Sequence, residues 1–374
     1  MAAGQNFPCP GCGAELMWTP GASGLTCEYC GHEVKEEAAN QPYLPTEHRL
    51  DQAAVSAARG FGGDLQEFQC DACGAISEVD AKLTATNCGF CGNDKLDLAE
   101  SHEDVIRPES VLAFTVDKAK AIGDFQGWIS GLWFRPNALK QLARLEKIAG
   151  IYVPCWTYDA HTRSHWTAEA GYYYYVTETY TTQENGRSVT KTRQVRKTRW
   201  EPAAGRHAKF FDDVLVSASK GLEQKLFEGL EPFRLEQLKQ YDTQYLAGFT
   251  AERYQLALKD GYGTAKGKME STIRSECGSM VPGDTHRNLR VSSHFSDVTF
   301  KHILLPVWIA AYKYQGKVYQ YLVNGQTGKT HGTAPWSWVK IALAVLAVLA
   351  VLGVVAYLSQ TQGTPSGGGG AGRP

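Results

Sequence analysis

The chain has 374 residues, 43% apolar and 21% charged, which is enough for two or three packed domains. Its net charge is −1, so no global attraction toward nucleic acid or an anionic surface is expected, and any such attraction has to be local.

The N-terminus, MAAGQNFPCPGCG, has neither a basic start nor an apolar run, so no secretory signal is expected. Cys9-x2-Cys12 is followed after fourteen residues by Cys27-x2-Cys30, and Cys70-x2-Cys73 after fourteen residues by Cys88-x2-Cys91. The same spacing twice is an internal repeat. Each block offers four thiolates, the number a closed tetrahedral zinc site requires. A glycine follows every pair (Gly13, Gly31, Gly74 and Gly92), as a tight turn with positive φ demands. Disulfides conflict with the expected cytoplasmic setting, and a redox pair would need no second pair at fixed distance. Two zinc ribbons are therefore expected, over residues 1–40 and 64–106, each with one structural Zn2+. Four cysteines leave no open coordination position, so the metals fold the ribbons rather than catalyse. His32 reads as a surface residue beside a turn.

Residues 1–40 hold five acidic side chains against Lys35, and residues 60–109 hold eleven against three basic ones. Such ribbons repel phosphate, so a protein contact surface is expected of them. The linker 41–63 contains a helix predicted over 47–59, capped by Thr46 and ended by Gly60.

From 107 to 335 the pattern predicts an α+β domain around an antiparallel meander. Helices are expected over 117–130, capped by Asp117, and over 136–148, opened by Pro136. Strands are expected over 151–160, 165–180, 188–200 and 207–217, with Asn185-Gly186 as a hairpin turn. Helices over 219–230 and 251–277 and strands across 291–323 complete the domain. Residues 187–209 carry eight basic side chains against Glu201, and alternation puts Lys191, Arg193, Lys197 and Arg199 on one strand face. That face reads as a solvated edge, as a contact for anionic lipid, or as a site for nucleic acid or an acidic partner. Cys155, with His161 and His165 nearby, is the one candidate nucleophile, and a strand cysteine is ordinarily core. Cys277 has no evident role. No H-E-x-x-H, G-x-S-x-G or paired-carboxylate motif is present.

VNGQTGKTHG, at 323–332, ends like a phosphate-binding loop. The first glycine of that motif would fall at 323, where Val323 stands, and no helix can begin at His331-Gly332-Thr333-Ala334-Pro335. A tight turn between the last two strands is expected instead. Ile341 to Leu358 is eighteen residues without charge, about 27 Å as a helix, and with 338–340 it matches the roughly 30 Å hydrocarbon thickness. Trp336, Trp338 and Tyr357 flank it as interfacial aromatics do. A single transmembrane helix over 338–358 is expected, with a disordered Gly-rich tail over 359–374. Lys329 and Lys340 precede the span, which puts the large N-terminal part in the cytoplasm, on the inner membrane.

The CPGCG at 9–13, the later cysteine pairs, YVPCWTYDA at 152–160, LLPVWIAAYKYQGKVYQYLVNGQTGKTHG at 304–332 and the apolar end together resemble a bacterial family of membrane-anchored zinc-ribbon proteins. Its members carry names such as transcription-factor-IIB-type zinc ribbon protein and primosomal protein N′ (replication factor Y) superfamily II helicase. The resemblance spans most of the chain. It implies a cytoplasmic zinc-bearing membrane protein, grouped in some bacteria with stomatin/flotillin-like or phage-shock-like membrane-stress proteins, and it carries over no catalytic residue. The expected function is a non-enzymatic membrane adaptor. The alternative is a nucleic-acid-binding accessory of replication or transcription that uses the basic hairpin 187–209.

Overall fold

The computed structural model describes residues 7–21, 24–35, 43–52, 65–80, 87–99, 105–136, 148–184, 186–315 and 317–361. The first cysteine block forms a three-stranded antiparallel sheet of β1 (Leu16–Trp18), β2 (Gly24–Cys27) and β3 (Glu33–Lys35). β4 (His48–Arg49) pairs with a later strand and runs into a 3-10 turn at Leu50–Gln52. The helix expected from 47 is therefore replaced at its start by a strand, because pairing with a long neighbouring strand satisfies the backbone that an isolated turn would leave open. Its remainder, 53–59, lies outside the described residues.

The second block supplies β5 (Leu65–Cys70), β6 (Ile76–Asp80) and β7 (Leu96–Leu98). β8 (Ser110–Val111) follows, and then α1 (Lys118–Gly131), whose N-cap Asp117 accepts from Lys120 N–H at 2.7 Å. The helix expected over 136–148 falls on residues 137–147, outside the described ones. β10 (Arg187–Ser217) pairs with residues 155–184 of β9 (Ala149–Glu184), interrupted only by a bulge between Phe211 and Val214, so the four strands expected over 151–217 are two. The Gly186 turn joins them, with φ of 76°. Gly205 and Gly171 do not break these strands. Each lies where a Cβ would sit 2.4 Å from the Trp166 ring or 2.8 Å from the Trp200 ring, so they make room for indoles.

α2 (Gln224–Glu228) is much shorter than the helix expected over 219–230. β11 (Lys239–Gln240) and β12 (Thr250–Glu252) come next. Residues 251–252, expected at the start of a helix, are thus strand, and α3 (Leu258–Met280) begins later. β12 bridges two edges, pairing parallel with β9 and antiparallel with β6, and that bonding overrides the helical pattern. β13 (Thr285–Tyr314), β14 (Lys317–Asn324) and β15 (Thr330–Gly332) complete the sheet, and α4 (Trp338–Thr361) closes the described chain.

The centre of the molecule is the β10–β9–β13–β14 order. Most pairs are antiparallel, but β12–β9 and β13–β8 are parallel, so the sheet is not a simple meander. Alternation on β9 and β13 divides the core. Ile151, Val153, Cys155, Ile303, Leu305, Val307 and Ile309 face a layer that includes Cys70, Cys88 and Phe90. Tyr152, Leu304, Trp308 and Ala310 face a layer that includes Cys9, Trp18, Leu25 and Cys27. Because side chains alternate between faces, the two cysteine blocks sit on opposite faces of one sheet. On the same face as the first block, α3 lays Gly261, Ala265, Met269, Ile273 and Cys277, one every fourth residue, along Trp156 and Tyr158. Those two residues donate to the Leu256 and Leu258 carbonyls at 2.9 and 2.6 Å. This accounts for YVPCWTYDA, a strand buried on both sides.

β13 stops pairing with β9 at Thr285–Gly171. Beyond it, 172–184 and 187–199 continue as a two-stranded arm of about 43 Å, at roughly 3.3 Å per residue.

Candidate metal centres

The four cysteine pairs share one backbone pattern. In each, the glycine four residues after the first cysteine donates its N–H to that cysteine's carbonyl, at 2.8–2.9 Å. The first cysteine's own N–H donates to the carbonyl one residue further on: Ala14, His32, Ala75 or Asn93. Gly13, Gly31, Gly74 and Gly92 all have φ between 73° and 77°, a conformation any side chain would strain. The repeat seen in the sequence is therefore a repeat of hydrogen bonds.

The turns bring eight sulfurs into two groups. Cys9–Cys30 and Cys12–Cys27 sulfurs are 3.4 and 3.6 Å apart, and Cys70–Cys91 and Cys73–Cys88 both 3.6 Å. Within each group of four, the sulfurs lie within 4.8 Å of one another. These separations far exceed a disulfide bond. A tetrahedral zinc with ~2.3 Å Zn–S bonds needs sulfurs about 3.8 Å apart, so the donor sets fit the ion. Both sites could hold a metal, and every ligand in each is a cysteine. His32 contributes its carbonyl to the turn and its side chain is not in the sulfur cluster. The Cys73–Cys88 hydrogen bond lowers the Cys88 thiol to about 5 and raises Cys73 well above its usual value.

The sites differ in setting. Phe90 and Tyr29 hold the same place in the repeat, between the last two cysteines. Phe90 is fully buried, whereas Tyr29 is 86% exposed. The Gln320 side chain donates to both the Phe90 and Gly221 carbonyls, at 2.7 and 3.0 Å. Arg253 N–H bonds the Ile76 carbonyl, and Gln255 Nε2 the Gly74 carbonyl, at 3.0 and 2.5 Å. A buried Arg253–Glu67 ion pair of 2.7 Å adds to the seam. The first block is held chiefly by Trp18, which donates through its ring to the Phe114 carbonyl and stacks edgewise on Tyr245. Its Cys12 and Cys30 are exposed.

The other candidate residues are placed as follows. Cys155 is fully buried, and burial holds its thiol well above the usual value, while His161 and His165 are exposed further along β9. The structure does not bring them together. Cys277 is buried on α3 and is likewise raised by burial. Lys191 bonds Glu184, Arg193 and Lys197 share Glu178, and Arg199 pairs with Glu201. The basic face is thus interleaved with carboxylates, most of them from β9, which a count along one strand misses.

The 323–332 segment is the β14–β15 turn. Asn324, fully buried, accepts from the N–H groups of Gln326 and Thr327, both at 2.9 Å, and donates to the Leu230 carbonyl at 3.1 Å. Lys329 Nζ bonds the Glu231 carbonyl. The N–H groups and the lysine that a phosphate loop would aim at its ligand are bonded here to Asn324, Thr327 and the Glu231 carbonyl.

The sequence reading missed two charge groups, each built on a buried carboxylate. Asp159, Asp212 and Asp213 place carboxylate oxygens within 4.8 Å, with Lys301 Nζ 2.7 Å from Asp213 and 3.2 Å from Glu47. Burial raises Asp159 to about 7. Phe210-Phe211-Asp212-Asp213 was the visible trace, since Asp213 has a positive φ at a bulge. Glu252 is fully buried beside the second block, and burial raises it to about 8. Nothing in its local sequence signals that.

Among the described residues, one helix, over Trp338–Leu358, is long and apolar enough to cross a membrane, and none of that window is buried. No protein-family profile and no solved structure matches the chain. The chain is 30% identical over 345 residues to a Bacillus subtilis (strain 168) protein named Uncharacterized protein YdjG, covering 90% of this chain and 92% of that one.

Proposed function

The chain belongs to the same family as Bacillus subtilis YdjG, and we propose that it is a non-enzymatic, membrane-anchored zinc-ribbon adaptor facing the cytoplasm. The observation that carries the proposal is the pair of closed four-cysteine sites, spaced for metal and lacking an open position. Zn2+ held by Cys9, Cys12, Cys27 and Cys30, and by Cys70, Cys73, Cys88 and Cys91, fixes the turns and supplies no catalytic water. The second ribbon is a structural part of the sheet. The first, with Tyr29 exposed at its tip, is the surface offered to a protein partner. Large exposed aromatics of this kind anchor protein contacts. The acidic ribbons and the ion-paired arm disfavour nucleic acid.

The purified chain is expected to carry two zinc ions by elemental analysis, and no zinc would end the reading. Affinity capture of the detergent-solubilised full chain is expected to retain partner proteins that Tyr29→Ala loses with no change in zinc content. Retention indifferent to Tyr29 and to Cys9→Ser would refute an adaptor role for the first ribbon.

A further inference from the structure

The foot of the apolar helix is not a loose tether. Ser337 N–H donates to the Phe134 carbonyl at 2.9 Å, and the Ser337 hydroxyl and carbonyl in turn accept from Lys340 and Ile341 N–H at the start of α4. Lys340 Nζ reaches back to the Trp133 carbonyl at 3.1 Å. Arg135 donates to the Ala334 carbonyl at 2.5 Å and lays its guanidinium 3.7 Å over the Trp336 ring. The turn after α1, residues 132–136, is thereby fastened to the first turn of the span. α1 itself is packed on the sheet through Phe125 and Trp128 against Tyr321.

This fastening leaves an odd surface. Trp133 is 79% exposed and Phe134 40%, beside Trp336 at 57% and Trp338 at 77%. Four large aromatics exposed at one place, with Arg135 and Lys340 among them, is the composition of a membrane–water boundary, where indole rings sit at headgroup level and basic side chains reach phosphate. Trp336 and Trp338 belong there by their place next to the span. Trp133 and Phe134 are some 200 positions earlier in sequence and arrive only through the fold.

We propose that the Trp133–Phe134 turn is a second membrane contact, inserting both aromatic side chains at the headgroup–acyl boundary of the leaflet that α4 enters. Lipid is the occupant because the turn is one hydrogen bond from the foot of the span. A bilayer around α4 necessarily reaches that level. The contact is made through a rigid helix–sheet seam, so it fixes the tilt of the whole domain on the membrane and not merely its distance. The exposed tip of the first ribbon is then presented at a set angle. The inference rests on α4 spanning the bilayer.

The test is photocrosslinking of the full chain in vesicles of phosphatidylethanolamine and phosphatidylglycerol. p-Benzoylphenylalanine replaces Trp133, Phe134, Trp338 or Tyr29, one at a time, all exposed aromatic positions. Lipid adducts at 133 and 134 are expected at a yield comparable with position 338 and several times that at 29. Adducts at 338 but only background at 133 and 134 would overturn the second contact and leave the anchor standing. So would protein adducts at 133 and 134 in place of lipid. Background at all four positions would overturn the span and this inference with it.

Discussion

Phe90 and Tyr29 are the same residue of a repeat placed in opposite surroundings, and that contrast gives the sharpest prediction. Phe90 is fully buried against Gly221, where a Cβ would meet its ring at 2.7 Å, and against Ala75, and it belongs to the layer beneath Ile151 and Cys155. Phe90→Ala empties a site walled by sheet backbone and the hydrogen-bonded Cys88–Gly92 turn, neither of which can collapse inward. Truncations of this kind cost about 3–5 kcal/mol, and poor relaxation puts this one in the upper half. Tyr29, at 86% exposure, offers almost no area to lose, so Tyr29→Ala is expected within ~0.5 kcal/mol of the parent. The assay is urea unfolding of the detergent-solubilised full chain, followed by fluorescence of its nine tryptophans, with zinc content measured alongside. At roughly 2–3 kcal/mol per molar urea for a chain this size, a loss of about 4–5 kcal/mol lowers the Phe90→Ala midpoint by about 1.3–2.5 M, and Tyr29→Ala leaves it in place. A Phe90→Ala loss below about 1 kcal/mol, or equal losses for the two variants, would refute the view that the second ribbon is built into the sheet while the first presents its tip.

Three further outcomes are expected. Asn324→Ala leaves the buried Leu230 carbonyl unpaired and removes the acceptor of two part-exposed N–H groups, and should cost roughly 1–3 kcal/mol, the penalty of about one buried group left unpaired, as the same urea midpoint measures. Glu252, with an ordinary value of 4.5 raised to about 8 by burial, keeps its proton when folded and loses it when unfolded, so between those values stability falls as pH rises. Glu252→Gln cannot ionise, so its midpoint should gain on the parent's from about pH 5 to pH 9, on the order of a few kcal/mol at the alkaline end, and a constant difference would refute the assignment. Oligonucleotide binding by the full chain should show a shallow salt slope that replacing Lys191, Arg193, Lys197 and Arg199 by glutamine leaves unchanged; a steep slope abolished by those substitutions would restore a nucleic-acid role.

The two cysteine clusters and the apolar helix were legible in the sequence because both are local. A C-x2-C-G turn closes on itself within six residues, and in the first block the fourteen-residue return holds the β1–β2 hairpin. A run of uncharged residues needs no partner to declare its length. The β14–β15 turn was readable for the same reason, since one side chain and one positive-φ glycine make it. The strands of the long hairpin were visible in pieces, and only pairing between β9 and β10 fused them across 161–164 and 201–206. The helical patterns expected from 47 and from 251 gave way to strand at 48–49 and 251–252 because edges offered by residues about a hundred positions or more distant satisfied the backbone better than a local turn. The charge of the arm was misjudged from one strand, since Glu178 and Glu184 enter from the other. Which ribbon is buried, which side chains neutralise one another and which aromatics stand beside the span all depend on long-range packing. By itself the sequence determined that there are two four-thiolate turns and one apolar helix. The tertiary structure alone decided that those turns sit on opposite faces of a single sheet and that Trp133 and Phe134 stand at the foot of the helix, because side-chain alternation along β9 and β13 has no meaning until their register is set.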